Sequence, residues 1–202
     1  MKCSEICALI EQEYGTEYAC DWDNVGLLAG RSTKEVKKIL LSLDATDEVV
    51  RMAVEGGYDM LITHHPMLFS AIKRVTDQDM NGRRLLELIR NDISYYAMHT
   101  NYDTRGMADL AARLLGLTEC TVLEEVKDGE GIGRVGKLPH PMTLRECGEQ
   151  VKVAYGIPNV RLFGDPDTQV SLAGVCPGAG KSTMPLALGF GCDVYITGDI
   201  DH

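Results

Sequence analysis

Basic residues are scarce in this sequence: 20 Lys and Arg stand against 30 Asp and Glu, a formal net charge of −10 over 202 residues. That balance opposes sequence-independent attraction to phosphate backbones or anionic lipid. No local basic patch offsets it, so nucleic acid is not an expected partner. Long apolar runs are also missing, since no window approaches the roughly 18 residues of a membrane span. The N-terminal MKCSEICALIEQEYG carries charge where a signal peptide needs an apolar stretch. The cytoplasm, without membrane association, is the expected address. CxxC spacing is absent too, and seven scattered cysteines, an odd number, do not suit a disulfide framework. They read as reduced thiols packed as small hydrophobes, including Cys3 and Cys7, which share a helix face.

What is present is a globular balance of 45% hydrophobic and 25% charged residues. The length suits one large domain or two small lobes. Ile6, Leu9 and Ile10 recur at helical spacing behind Ser4, which predicts a helix over 4–14. KKILLSLD (37–44) reads as a strand buried on both faces. A helix follows from Thr46 as N-cap, with Val49, Val50, Ala53 and Val54 inward and Gly56-Gly57 as terminator. DMLIT (59–63) and ISYYAMHT (93–100) are further strands, and helices are expected around 83–91 and 106–116. This alternation argues for an α/β layer with partly parallel strands.

From 117 the pattern loosens. TECTVLEEVKDGEG is acidic and without a clear period, placing a soft boundary at 118–130 and two lobes at 1–118 and 119–202. GIGRVGKLP (131–139) reads as a strand, and 143–156 as a helix with a Thr143–Glu146 capping box. NVRLFG, VSLAGVC and DVYIT are three more strands, with a short helix near 182–189.

Four of the five histidines fall at the ends of expected strands: His64 and His65 in DMLITHHP, His99 in YYAMHTNYD, His202 in DVYITGDIDH. In open α/β sheets that edge is where ligands bind. Imidazole and carboxylate are the ligands of catalytic zinc, manganese and iron sites. An extended HTNYD segment would point His99, Asn101 and Asp103 to one side. Adjacent His64 and His65 would point apart on a regular strand, but Pro66 marks the strand end and lets both turn to one site. A lone strand-end histidine is commonly a hydrogen-bonded loop residue; the His-His-Pro string beside HTNYD outweighs that reading. His140, between two prolines, reads as a loop residue, and Asp44 as a rim group or a helix cap.

VCPGAGKST (175–183) imitates a phosphate loop. The G-x-x-x-x-G-K-S/T signature requires glycine where Val175 stands, so Lys181 is not expected to hold a triphosphate. A structural turn is the expected role.

Taken in order, DWDNVGLLAG, LITHHPMLF, AMHTNYD, GVCPGAGKS and YITGDIDH resemble the NGG-one-interacting-factor-three-like family, many of whose members are named GTP cyclohydrolase I type 2 homologues. The resemblance covers essentially the whole chain. It implies an α/β fold: a two-lobed protomer of mixed, partly parallel sheets flanked by helices. It also implies a dinuclear metal centre between the lobes and a toroidal homohexamer built from dimers or trimers. His64, His65 and Asp103 match ligand positions, Asp103 being suited to bridge two divalent ions (zinc, manganese or iron). His99 and His202 match positions near the metals. Family members continue past the TGDIDH segment to a His and a Glu four residues apart, which nothing here matches. The resemblance therefore implies a fragment or a truncated protein with fewer ligands per ion.

Two function classes follow. One is a metal-dependent, cyclohydrolase-like hydrolase acting on a small molecule, with His99 moving a proton. The other is a metal-binding scaffold or adaptor, homo-oligomeric and without turnover. Placement of the ligands on an open rim favours the first.

Overall fold

The computed structural model describes residues 1–200. The chain forms two compact units, Met1–Tyr102 and Asp103 onward, each with its own four-stranded mixed sheet. The division falls earlier than the loosening of pattern at 118–130, because the helix that precedes that stretch packs on the second sheet.

In the first unit, β1 (Gly26–Ala29), β2 (Ile39–Ser42), β3 (Met60–Thr63) and β4 (Ser94–Ala97) lie in the order β1-β4-β3-β2. β2, β3 and β4 are mutually parallel and β1 runs antiparallel to β4. The period-2 alternation of side chains gives each face its own cover. Met60, Ile62 and Tyr96 pack against Cys3, Ile6 and Cys7 of α1 (Cys3–Glu13). Leu61, Tyr95 and Ala97 pack against Val50 and Ala53 of α2 (Asp47–Glu55) and Leu85 and Leu88 of α3 (Met80–Arg90). Thr46 caps α2, accepting from the Val49 amide. β3 and β4 are buried throughout, whereas β2 is not the doubly buried strand that its apolar run suggests. It is the edge of the sheet, and Leu41 there is 71% exposed.

The second unit begins on a π-helical turn, Asp103–Met107, that continues the single turn α4 (Thr100–Tyr102) into α5 (Ala108–Leu114). Its sheet has the order β5-β6-β7-β8, formed by Thr118–Lys127, Glu130–Thr143, Gln169–Cys176 and Val194–Thr197. β5, β6 and β7 are antiparallel neighbours, and β7 and β8 are parallel. Helices α5 and α6 (Leu144–Tyr155) cover it, and Ala187 of α7 (Met184–Gly189) joins a smaller cluster with Leu123, Val135 and Cys176. Arg134 on β6 is buried: its guanidinium donates to Asp109 of α5 at 2.6 Å and to the carbonyls of Gly131, Gly133 and Thr104. One side chain thus ties the π turn and α5 to the sheet.

Two sequence expectations change here. The acidic 118–127 stretch is a strand, closed into a hairpin by Asp128 and Gly129, both at positive φ (52° and 78°), as a two-residue Asp-Gly turn requires. NVRLFG (159–164) is not a strand; it passes over α6, with Leu162 and Val160 lying against Gly148, where a Cβ would meet Leu162 at 2.9 Å. The capping box of α6 is present, with Thr143 accepting from the Glu146 amide and Glu146 accepting from the Thr143 amide and hydroxyl. Thr143→Ala is expected to cost about 1 kcal/mol, read as a lower denaturation midpoint; an unchanged midpoint would show that the cap contributes nothing.

Candidate metal centre

Parallel pairing of β2, β3 and β4 is in register, so Ser42, Thr63 and Ala97 end side by side. The ladder persists for a residue or two: the His64 amide donates to Ser42 O, His65 to Leu43 O and Met98 to Thr63 O. Both histidines after β3, and the one two residues after β4, therefore emerge on a single rim. A buried tyrosine fixes the exit. The Tyr95 hydroxyl meets Thr63 Oγ1 at 2.8 Å and accepts from the Met67 amide at 2.7 Å, while Thr63 Oγ1 donates to His65 O at 2.8 Å.

His64, His65 and His99 form one cluster, with one ligating atom of each within 4.8 Å of the others and ring centroids 4.9 to 5.6 Å apart. Each imidazole has an acceptor at Nδ1: the Met98 carbonyl for His64 (3.0 Å), the Asp44 carboxylate for His65 (2.8 Å), the Asp23 carboxylate for His99 (3.0 Å). A ring nitrogen facing an acceptor carries the proton, which assigns the lone pair to Nε2 in all three. That is the arrangement in which carbonyls and carboxylates orient metal-ligating histidines. The donor set suits a borderline divalent ion such as zinc.

Asp23 is the group that sequence reasoning missed. Its side chain is fully buried and accepts from His99 Nδ1, from the Thr100 amide at 3.0 Å and from the Thr100 hydroxyl at 2.6 Å. Burial alone would raise its pKa, but the bonds from His99 and Thr100 outweigh it and hold the carboxyl at about 2. His64 is also pushed down, to about 4, by burial and by the neighbouring His99 and His65, which for an imidazole favours the neutral form.

These shifts carry a sign. His64 sits below the ordinary imidazole value near 6.5, so the unfolded chain takes up its proton first. The stability it confers is present above about pH 6.5 and is lost as pH falls toward 4. Asp23 contributes above its ordinary 3.8 and loses that contribution as pH falls toward 2. Chelator-treated protein should therefore lose on the order of 1 kcal/mol between pH 7 and pH 4.5 through His64, less than the full shift implies because the ring is partly exposed to solvent. Urea unfolding at the two pH values checks this, and an equal loss in His64→Gln would disprove the assignment.

HTNYD is not extended: the chain leaves β4 at Ala97, and Thr100–Tyr102 is helical. The alternation argument for His99, Asn101 and Asp103 therefore fails. Asn101 is buried and its Nδ2 donates to Tyr14 O. Asp103 stands on the π-helical turn at the start of the second unit. Asp44 is not a helix cap, since Thr46 has that role. His140 is an exposed residue on β6, at the break in register between Lys137 and Met142, and not in a loop. His202 lies outside the described residues.

The phosphate-loop imitation is a packed connection between β7 and α7. The Gly178 carbonyl accepts from Thr197 Oγ1 and from the Gly198 and Asp199 amides, and the Gly180 carbonyl accepts from the Tyr195 hydroxyl. A Cβ on Gly180 would fall 2.3 Å from that hydroxyl.

Two mixed α/β units, with three carbonyl- and carboxylate-oriented imidazoles on one sheet rim, define an α/β protein with a site that could bind a metal ion. The chain belongs to the DUF34/NIF3 (NGG1p interacting factor 3) family, whose model matches residues 1–202. It is 36% identical over 206 residues to a Clostridium perfringens "GTP cyclohydrolase 1 type 2 homolog", covering 100% of this chain and 79% of that protein. It is 30% identical over 208 residues to the Drosophila melanogaster "NIF3-like protein 1", covering 100% and 70%. Among solved structures, a Staphylococcus aureus hypothetical protein superposes with a TM-score of 0.87 at 29% identity, over 100% of this chain and 80% of that one. A Bacillus cereus protein related to NIF3, at 24% identity, shares the fold with a TM-score of 0.92, over 100% and 83%. Among the described residues no helix is long and apolar enough to cross a membrane.

Proposed function

We propose that this chain is a dinuclear, metal-dependent hydrolase of the cyclohydrolase type, working in the cytoplasm as a homo-oligomer, a hexamer in the fullest reading. The observation that carries the proposal is the convergence of three imidazoles whose Nδ1 atoms are each committed to an acceptor. A purely structural histidine cluster would not need a possible ligand atom of each ring within 4.8 Å of the other two. His64 and His65 would hold the ions together with Asp103, and His99 stands beside them. A pair of divalent ions, when bound, lowers the pKa of water and polarises an electrophile.

The chain's own residues supply the rest. His99 is held in one tautomer by Asp23 and can take a proton at Nε2 and return it to a leaving group. Asp23 stabilises the imidazolium in between, its carboxylate remaining ionised throughout. The relatives' name supports ring opening of a purine nucleotide as the first substrate class to test. The test is metal analysis of the purified chain, followed by assay against nucleotides, phosphoesters and cyclic amides. Turnover that requires metal and disappears in His99→Gln supports the reading. Metal binding without turnover on any class would leave a metal-binding scaffold in its place.

A further inference from the structure

Tryptophan and phenylalanine are few here, one Trp and three Phe in 202 residues beside eight Tyr, and burying such rings would stabilise the fold most per residue. Yet Trp22 is 59% exposed and Phe69 is 51% exposed, and the two meet at the same place, ring centroids 5.7 Å apart and tilted by 46°. That place adjoins the three imidazoles: the Trp22 and His99 centroids are 6.0 Å apart, near perpendicular at 73°.

The rings are held where they are. The turn carrying Trp22 is bound at both ends. The Cys20 amide donates to Thr100 Oγ1 at 2.9 Å, the Asp23 amide returns to Cys20 O, and the Asp23 carboxylate is anchored by His99 and Thr100. Phe69 is brought in from a separate loop by Asn24, whose Nδ2 donates to Leu68 O at 2.5 Å. A polar strut between two loops thus fixes two exposed aromatic rings against each other. This is the form of a preorganised ligand surface, since an exposed apolar patch rimmed by polar groups marks a binding site.

We infer that Trp22, backed by Phe69, is a stacking platform for a planar heteroaromatic ring, a nucleobase or a similar heterocycle, whose substituents then lie beside His99. Two rings tilted by 46° make one wall with an end stop. A quaternary ammonium needs several faces turned inward as a cage, and a flat ring needs one face. Stacking is also sequence-tolerant and insensitive to the chain's negative charge, because the π face of the ligand carries no net charge. The inference names the substrate class of the proposed hydrolase and rests on that reading for its catalytic meaning, but binding at the platform is measurable without it.

Trp22 is the sole tryptophan, so its fluorescence reports the site directly. The full chain, chelator-treated and zinc-loaded in parallel, would be titrated with guanosine monophosphate, ribose 5-phosphate and choline. Saturable quenching by the nucleotide alone is expected. Calorimetry should show binding weakened roughly tenfold or more in Trp22→Ala, less in Trp22→Phe, and measurably in Phe69→Ala. Metal per chain should be unchanged in all three variants. Equal quenching by ribose 5-phosphate or choline, or undiminished nucleotide binding in Trp22→Ala, would overturn the platform. So would a change of oligomer mass in Trp22→Ala by light scattering, which would make the rings a subunit contact. Failure of the metal reading appears separately, as absence of bound metal with the ring result intact.

Discussion

His64→Ala and His65→Ala are each expected to weaken zinc binding by more than about 100-fold while the protein remains folded. The floor comes from lesser damage: removing only a group that orients a metal-ligating histidine costs 10 to 100-fold, and deleting the imidazole itself removes the donor atom as well. The fold should survive because neither residue lies in a core cluster and His65 is half exposed. Zinc affinity measured against a chromophoric chelator, with metal per chain by mass spectrometry, checks the prediction. Unchanged affinity in both variants would show that neither imidazole is a ligand and that the cluster is a polar rim and nothing more.

The second large effect is expected at Asp23, where two substitutions should separate stability from orientation. Asp23→Ala leaves the Thr100 amide, the Thr100 hydroxyl and His99 Nδ1 without their acceptor in a buried place. Stranded buried donors cost about 1 to 3 kcal/mol each when water cannot reach them. A loss of about 3 kcal/mol is expected, lowering the urea midpoint. Asp23→Asn preserves the shape and most of the stability but offers an N–H where His99 needs an acceptor. The ring then favours the other tautomer, with the proton on Nε2, and loses the lone pair that takes up a proton. Turnover should fall about 100-fold or more with zinc affinity nearly unchanged and a midpoint shift well below that of the alanine variant. If turnover and midpoint fall in proportion across both variants, Asp23 acts on the fold alone.

The rim histidines were legible in the sequence because a general rule places ligands beyond the ends of parallel strands, and three strands ended in Thr followed by His or Asp. Asp23 was not. Its partners lie 76 and 77 residues away, and no local pattern distinguishes a carboxylate that is buried and hydrogen-bonded from one in water. HTNYD misled for a related reason: an alternation argument holds only while the backbone stays extended, and the chain turns helical at Thr100. β5 escaped notice because its residues are mostly exposed, so pairing with β6, and not a buried face, makes it a strand. β2 erred in the opposite direction. Its run of Ile39, Leu40 and Leu41 has the composition of a central strand, while its position at the sheet edge is set by topology, which composition does not encode.

The three orienting acceptors differ in their contact with solvent. Asp44 and His65 are about half exposed, at 51% and 49%, whereas Asp23 is fully buried behind His99 and the acceptor of His64 is a main-chain carbonyl. Dissolved ions reach the first pair and screen it over a distance of about 8 to 10 Å at ordinary ionic strength; buried groups are screened far less. Ionic strength is therefore expected to act on the cluster unevenly, most at His65 and least at His64 and His99. Whatever sensitivity to salt the site has is concentrated on one of its three imidazoles.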